Sequence, residues 1–151
     1  MKGLVVYDSR FGNTEKVAHA VAAALGPRES VRAEKVDAVA ADDLKDLDVV
    51  VVGSPVHAWH PTKEMRVFLD GLQPNALSGV RAAAFDTRFR GRLAGSAAGN
   101  IEKKLRKQNC TIVAPSTSFL VLGGEGPLAE GELERAAIWA KQILEATGAK
   151  P

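Results

Sequence analysis

The 151 residues are 46% hydrophobic, enough for one domain with a sizeable core and too apolar for a disordered chain. One cysteine, Cys110, excludes an internal disulfide and any multi-cysteine metal site, and a reducing cytosol is the expected compartment. The net charge of +2 is unevenly placed: eight basic and two acidic residues between Arg81 and Lys107 give that segment +6 and leave the remainder at −4, so one side of the molecule is expected to be basic.

The opening "MKGLVVYD" lacks the long apolar core and cleavage site of a signal peptide, and no apolar run approaches the length of a membrane span. Gly3–Tyr7 (GLVVY) is a continuous apolar run, the pattern of a strand covered on both faces. A polar loop, "DSRFGNT", leads into a helix from Thr14 to Leu25. There Val17, Val21 and Leu25 recur one turn apart, and Gly26–Pro27 stops the helix. Ser30–Val36 alternates as an edge strand does, with Val31 and Ala33 against Arg32 and Glu34. A short polar helix is expected near Ala41–Leu47. Asp48–Ser54 (DVVVVGS) is a second fully buried strand. Within Thr62–Leu72, Met65, Phe68, Leu69 and Leu72 fall at i, i+3, i+4 and i+7, one face of a helix. Val80–Asp86 forms the fourth strand, and Thr87–Ser96 the loop after it. Ser96 is placed as the N-cap of a helix that buries Ile101 and Leu105, with Lys103–Lys107 on its solvated face. Cys110–Leu122 is a fifth strand broken at Pro115. Proline cannot donate to a sheet ladder, so this strand belongs at an edge. Cys110 itself is expected to be a small buried hydrophobe. The last helix covers Leu128–Ala146, with Trp139 in its packing. No linker or repeat interrupts the chain, so residues 1–151 are expected to form one domain.

Five strands alternating with helices predict an α/β fold. The expected form is a doubly wound, five-stranded parallel sheet of order 2-1-3-4-5, with the second and fifth strands at its edges. The sheet then reverses direction between strands 1 and 3, and ligands bind at such a point, outside the carboxyl ends of the strands. Three loops meet there: Ser9–Thr14, Gly53–His60 and Thr87–Ser96. The first offers the hydroxyls of Ser9 and Thr14, the Asn13 side chain and backbone N–H groups from Arg10 onward, at the positive end of a helix dipole. Those groups suit a phosphate dianion. The same hydroxyls also serve as helix caps, and the loop alone leaves both readings open. Asp8 counts against a phosphate unless its carboxylate turns away. The pattern G-x-x-x-x-G-K-[ST] is absent, against a nucleotide triphosphatase. Gly53–Ser54 stands where a receiver domain needs aspartate, and "DSRFGNT" lacks the cysteine of a low-molecular-weight phosphatase. His19, His57 and His60 have no metal-binding spacing. No acid–base or nucleophile constellation is present, so no catalytic residue is assigned.

These residues carry a resemblance. "DSRFGNTEKVA" resembles the phosphate loop of the flavodoxin family, which holds the 5′-phosphate of flavin mononucleotide (FMN). "VVGSPVHAWHPTKEMRVFLD" resembles the family's second flavin loop. "AAAFDTRFRGRLAGSAAGNIEKKL" with "GPLAEGELERAAIWAKQI" is similar to small stand-alone flavodoxin-domain proteins of the short-chain type. The resemblance implies FMN as cofactor and electron transfer as function. It implies that Ser9, Arg10, Phe11, Gly12, Asn13 and Thr14 hold the phosphate, Phe11 standing where Thr or Ser is commoner. Gly12 is expected because a side chain there would crowd the phosphate. Pro55, Val56, His57, Ala58 and Trp59 are implied beside the flavin, with Trp59 stacked on its ring. Thr87, Arg88, Phe89, Arg90 and Gly91 are implied at its pyrimidine edge, with Phe89 over the second face and Arg92 following. Trp59 as an anchor beneath its own loop, Phe89 as a packed or exposed loop aromatic, and His57 as a solvent-facing loop histidine stay open. Ser54–His60 contains no glycine, so a left-handed turn there carries strain that glycine avoids.

The basic segment makes an acidic redox protein the expected partner. Nucleic acid is not expected, because no aromatic residues interleave with Lys103–Lys107. No membrane association is expected, and the chain is read as a monomer or weak dimer. Two other readings remain: a flavin-dependent NAD(P)H:quinone reductase, against which the compact loops count, and a non-flavin binding module keeping the fold.

Overall fold

The computed structural model describes residues 1–89 and 96–148. Alternating apolar residues build its sheet from both sides. Strand β1 (Gly3–Tyr7) sends Val5 and Tyr7 to one face and Leu4 and Val6 to the other. Strand β3 (Val49–Pro55) does the same with Val49 and Val51 against Val50 and Val52. Helices α1 (Asn13–Leu25) and α4 (Glu132–Ala146) cover the first face. Helices α2 (Lys63–Asp70) and α3 (Ala98–Lys107) cover the second. Met65, Ile101 and Leu105 are wholly buried there, and burial of such a side chain contributes about 1.5–3 kcal/mol.

The strands of the sheet pair in parallel. Strand β2 (Val31–Lys35) lies beside β1, β1 beside β3, and β3 beside β4 (Arg81–Phe89), so the order 2-1-3-4-5 is observed. The fifth position is divided. Strand β5 (Thr111–Ile112) pairs with the start of β4 and β6 (Thr117–Val121) with its end, with Pro115 between them. The proline break thus yields a sixth strand. It also lengthens β4. Phe119, Leu120 and Val121 pair with Thr87, Arg88 and Phe89, so β4 runs three residues past its expected end at Asp86. Thr87–Phe89 are strand residues, not loop residues.

Other expectations are corrected too. The short polar helix expected near Ala41–Leu47 is only a single 3-10 turn, Ala41–Leu44. A second such turn, Val36–Ala38, precedes it; Val36 and Leu44 are their buried residues, too few for a longer amphipathic helix. Helix α4 begins at Glu132 rather than Leu128, because Leu128 bridges to Val121. Ser96 does not cap α3. The N–H groups of Ala97 and Ala98 both donate to Asp86 Oδ2 at 2.9 Å, and the Ser96 hydroxyl donates to the same oxygen at 3.2 Å. The buried Asp86 carboxylate meets the positive end of the α3 dipole.

Trp139 packs as expected. Its ring meets Phe85 and Phe119 edge-on, with centroids 5.9 Å apart, and its Nε1 donates to Pro115 O at 3.2 Å. Cys110 is half-buried, and burial pushes its thiol up to about 11. Among the described residues, no helix is long and apolar enough to cross a membrane.

Candidate flavin site

The chain leaves β1 at Asp8, a buried carboxylate. Its Oδ2 accepts from Thr62 Oγ1 at 2.6 Å and its Oδ1 from Ser9 N–H at 2.9 Å. Thr62 in turn accepts from Met65 N–H at 3.2 Å, as the N-cap of α2. The Asp8 charge is therefore committed to α2 and Ser9.

Ser9 Oγ accepts N–H bonds from Gly12 at 3.1 Å and Glu15 at 3.3 Å. Its own proton is left to donate. The N–H groups of Arg10, Phe11, Asn13 and Thr14 have no hydrogen-bond partner among the described residues. They sit at the N-terminus of α1, where an anion is favoured. Gly12 turns the chain at φ 88°, and a Cβ there would meet no protein atom within 4 Å. The left-handed backbone is thus what this structure shows to favour glycine.

Thr14 Oγ1 and Thr87 Oγ1 lie 2.8 Å apart, buried, and join the first loop to β4. Whichever donates, one hydroxyl proton remains for another acceptor. Two side chains are engaged elsewhere. Asn13 Nδ2 donates to Glu125 O at 3.1 Å, which ties down the turn at Gly123–Gly126. Arg10 pairs with Glu64 at 2.8 Å.

The loop after β3 closes as a tight turn. His57 N–H donates to His60 O at 2.7 Å and His60 N–H to His57 O at 3.1 Å. Between them, Ala58 and Trp59 stand at φ 51° and 66°. Both central residues are left-handed, as in the hairpin turns that usually carry glycine. The strain expected of a glycine-free loop is thus present in this turn. Trp59 is 55% exposed, which an anchor beneath its own loop would not be. Phe11 and Phe89 are also exposed.

An open cleft of about 270 Å³ gathers these elements. Ser9, Arg10, Phe11, Asn13, Thr14, Pro55, Val56, Ala58, Trp59, Thr87, Arg88 and Phe89 line it, all expected from the sequence. Gly12 and His57 do not line it. Gly12 turns the loop, and His57 is exposed at the base of its turn. Arg90 and Gly91, with Arg92, lie outside the described residues. Val121 and Gly124 complete the wall and were missed. Their signal was Gly123–Gly124 directly after β6, at the carboxyl end of the fifth strand. The described lining contains no His, Asp, Glu, Cys, Lys or Tyr. His19 lies 3.9 Å from Glu15, and His60 Nδ1 lies 3.4 Å from Asn100 Nδ2; both rings are outside the cleft.

Residues 4–113 match the family model described as Flavodoxin domain. A flavodoxin from the domain Archaea superposes with a TM-score of 0.81 at 25% identity, over 98% of this chain and 99% of that one. A short-chain flavodoxin associated with a bacterial microcompartment superposes with a TM-score of 0.81 at 21% identity, over 97% and 99%. Flavodoxin 2 from Bacillus cereus does so with a TM-score of 0.81 at 22% identity, over 96% and 99%. No curated protein matches the chain in sequence. The chain belongs to the flavodoxin-domain family. Membership implies a flavin cofactor, with electron transfer as its chemistry. The residues present fit that group: unpartnered N–H donors at a helix N-terminus, beside a cleft flanked by exposed aromatic rings.

Proposed function

We propose that the chain is an FMN-binding electron carrier. One observation carries this reading above the others. Four N–H groups at the α1 terminus lack partners among the described residues, beside hydroxyl protons of Ser9 and of the Thr14–Thr87 pair. This is a cradle for a terminal phosphate, which FMN has and riboflavin lacks. Bound there, FMN supplies one- and two-electron redox chemistry. The protein's part is to bind and orient. Ser9–Thr14 hold the phosphate, Trp59 offers a face to the ring, and Thr87–Phe89 line the remaining edge. The described lining carries no group suited to move a proton at neutral pH, which favours a carrier over a reductase acting on a second substrate.

Thermal melts with FMN and with riboflavin test the reading. FMN at about 100 times its dissociation constant stabilises by about 2.7 kcal/mol, a rise of roughly 5–11 °C for a chain of this size. Riboflavin at the same concentration gives a smaller rise. Trp59→Ala weakens FMN about tenfold, from lost ring burial and stacking. No shift with either flavin would favour the non-flavin module.

A further inference from the structure

The cleft borders a second groove. Between α2 and α3 lies a cavity of about 410 Å³, with Pro61 and Leu69 as its apolar part and Arg66, Lys103 and Lys107 along it. Two further cations there are already paired: Lys104 with Asp70 at 2.6 Å and Arg106 with Glu102 at 3.3 Å. Arg66, Lys103 and Lys107 are exposed and make no ion pair among the described residues.

Helix capping does not account for this patch. A cation in the last turn of a helix is favoured by the dipole, which covers Lys107. It does not cover Arg66, in the middle of α2. Nor does it cover Lys103, one turn before Lys107 on the same face, where like charges oppose each other. The basic surface also differs from the segment expected in the sequence. Arg81 starts β4 in register with Val49, at the end of the sheet away from the cleft, while Arg66 joins the patch from another helix.

His60 links groove and cleft. It borders the groove, and its backbone closes the turn that carries Trp59. A body seated between α2 and α3 therefore reaches the exposed Trp59 side of the cleft. We propose that this groove docks an acidic electron-transfer protein, its carboxylates set against Arg66, Lys103 and Lys107. The proposal rests on the electron-carrier reading above. Exposed ion pairs add little affinity individually. Their combined field raises the encounter rate, which suits a carrier that must also let go.

The test uses the full chain with FMN, an acidic c-type cytochrome and a basic one. In stopped-flow oxidation of the reduced protein, the acidic cytochrome reacts faster at low salt, and its rate falls as salt rises. The triple variant Arg66→Glu, Lys103→Glu, Lys107→Glu slows that reaction about tenfold at low salt, speeds the basic one and leaves FMN affinity unchanged. Backbone amide shifts of the 15N-labelled chain, titrated with the acidic cytochrome, cluster on α2 and α3. That mapping reads the surface with or without flavin, so a failure to bind FMN is seen separately from a failure to dock. Faster reaction with the basic cytochrome, an unchanged triple variant, or amide shifts elsewhere overturns the proposal. A short DNA duplex shifting the same amides at lower concentration than the cytochrome overturns it in favour of nucleic acid.

Discussion

In the proposed function Trp59 offers its ring to the flavin, a role that the glycine its backbone favours could not fill. It stands at φ 66° beside Ala58 at φ 51°. A left-handed non-glycine residue costs roughly 1–2 kcal/mol. The reciprocal His57 and His60 backbone bonds hold the turn against that cost. Ala58 has no comparable reason to keep its side chain. Ala58→Gly removes the strain but adds unfolded-chain entropy of about 0.5–1 kcal/mol. The expected net gain is about 0.5–1 kcal/mol, or roughly 1–4 °C in Tm without ligand. A melt that stays put or falls would show that the turn is relaxed at Ala58. The position of this loop was readable in the sequence. Its left-handed geometry was not, because "HAWH" carries no Asn-Gly or Asp-Gly signal.

The helices that support the loops start on borrowed groups. The Thr62 cap of α2 is held by Asp8, 54 residues earlier in the chain. The N-terminus of α3 is held by Asp86, from the strand before it. Asp86→Ala leaves the N–H groups of Ala97 and Ala98 without their acceptor in a buried place. The expected loss is about 2–3 kcal/mol. Urea unfolding should show it as a lower midpoint with an unchanged slope. Asp86→Asn keeps one acceptor oxygen and should lose less. Equal, small losses in both variants would mean that water replaces the carboxylate. Ser96 was the local sequence signal for this cap, and the nearby buried carboxylate displaced it.

At the scale of the whole molecule, one aromatic cluster fixes α4 against the strands that carry the site. Phe85, Phe119 and Trp139 come from β4, β6 and α4 and meet edge-on, each pair 5.9 Å apart. The Phe85 ring lies across Gly53, its register partner on β3, and a Cβ at Gly53 would overlap that ring. Phe85 cannot move aside without disturbing the other two rings. Gly53→Ala is therefore expected to destabilise by about 1–3 kcal/mol. It should also weaken FMN binding, since Gly53 leads directly into the Pro55–Trp59 loop. Unchanged stability would show that the cluster repacks freely. The charge asymmetry belongs to this scale as well. The +6 segment reads as one patch along the chain, but the fold sends Arg81 to the far end of the sheet and brings Arg66 beside Lys103 and Lys107.

What the sequence determined by itself was the alternation of buried strands and amphipathic helices, and the two polar loops, Ser9–Thr14 and Gly53–His60, that follow the first and third strands. Those properties are local: they lie in the period of the apolar residues and in the residue types between the runs. The tertiary structure decided the rest. Strand β4 continues to Phe89 because β6 supplies its hydrogen-bond partners. Val121 and Gly124 wall the cleft because Pro115 divides the last strand. Asp8 is held between α2 and the start of the first loop because Thr62 Oγ1 and Ser9 N–H claim its two oxygens. In each case the deciding partner is distant in the chain or outside the period of its element. Hydrogen bonds and steric contacts of that kind exist only after the chain has closed on itself.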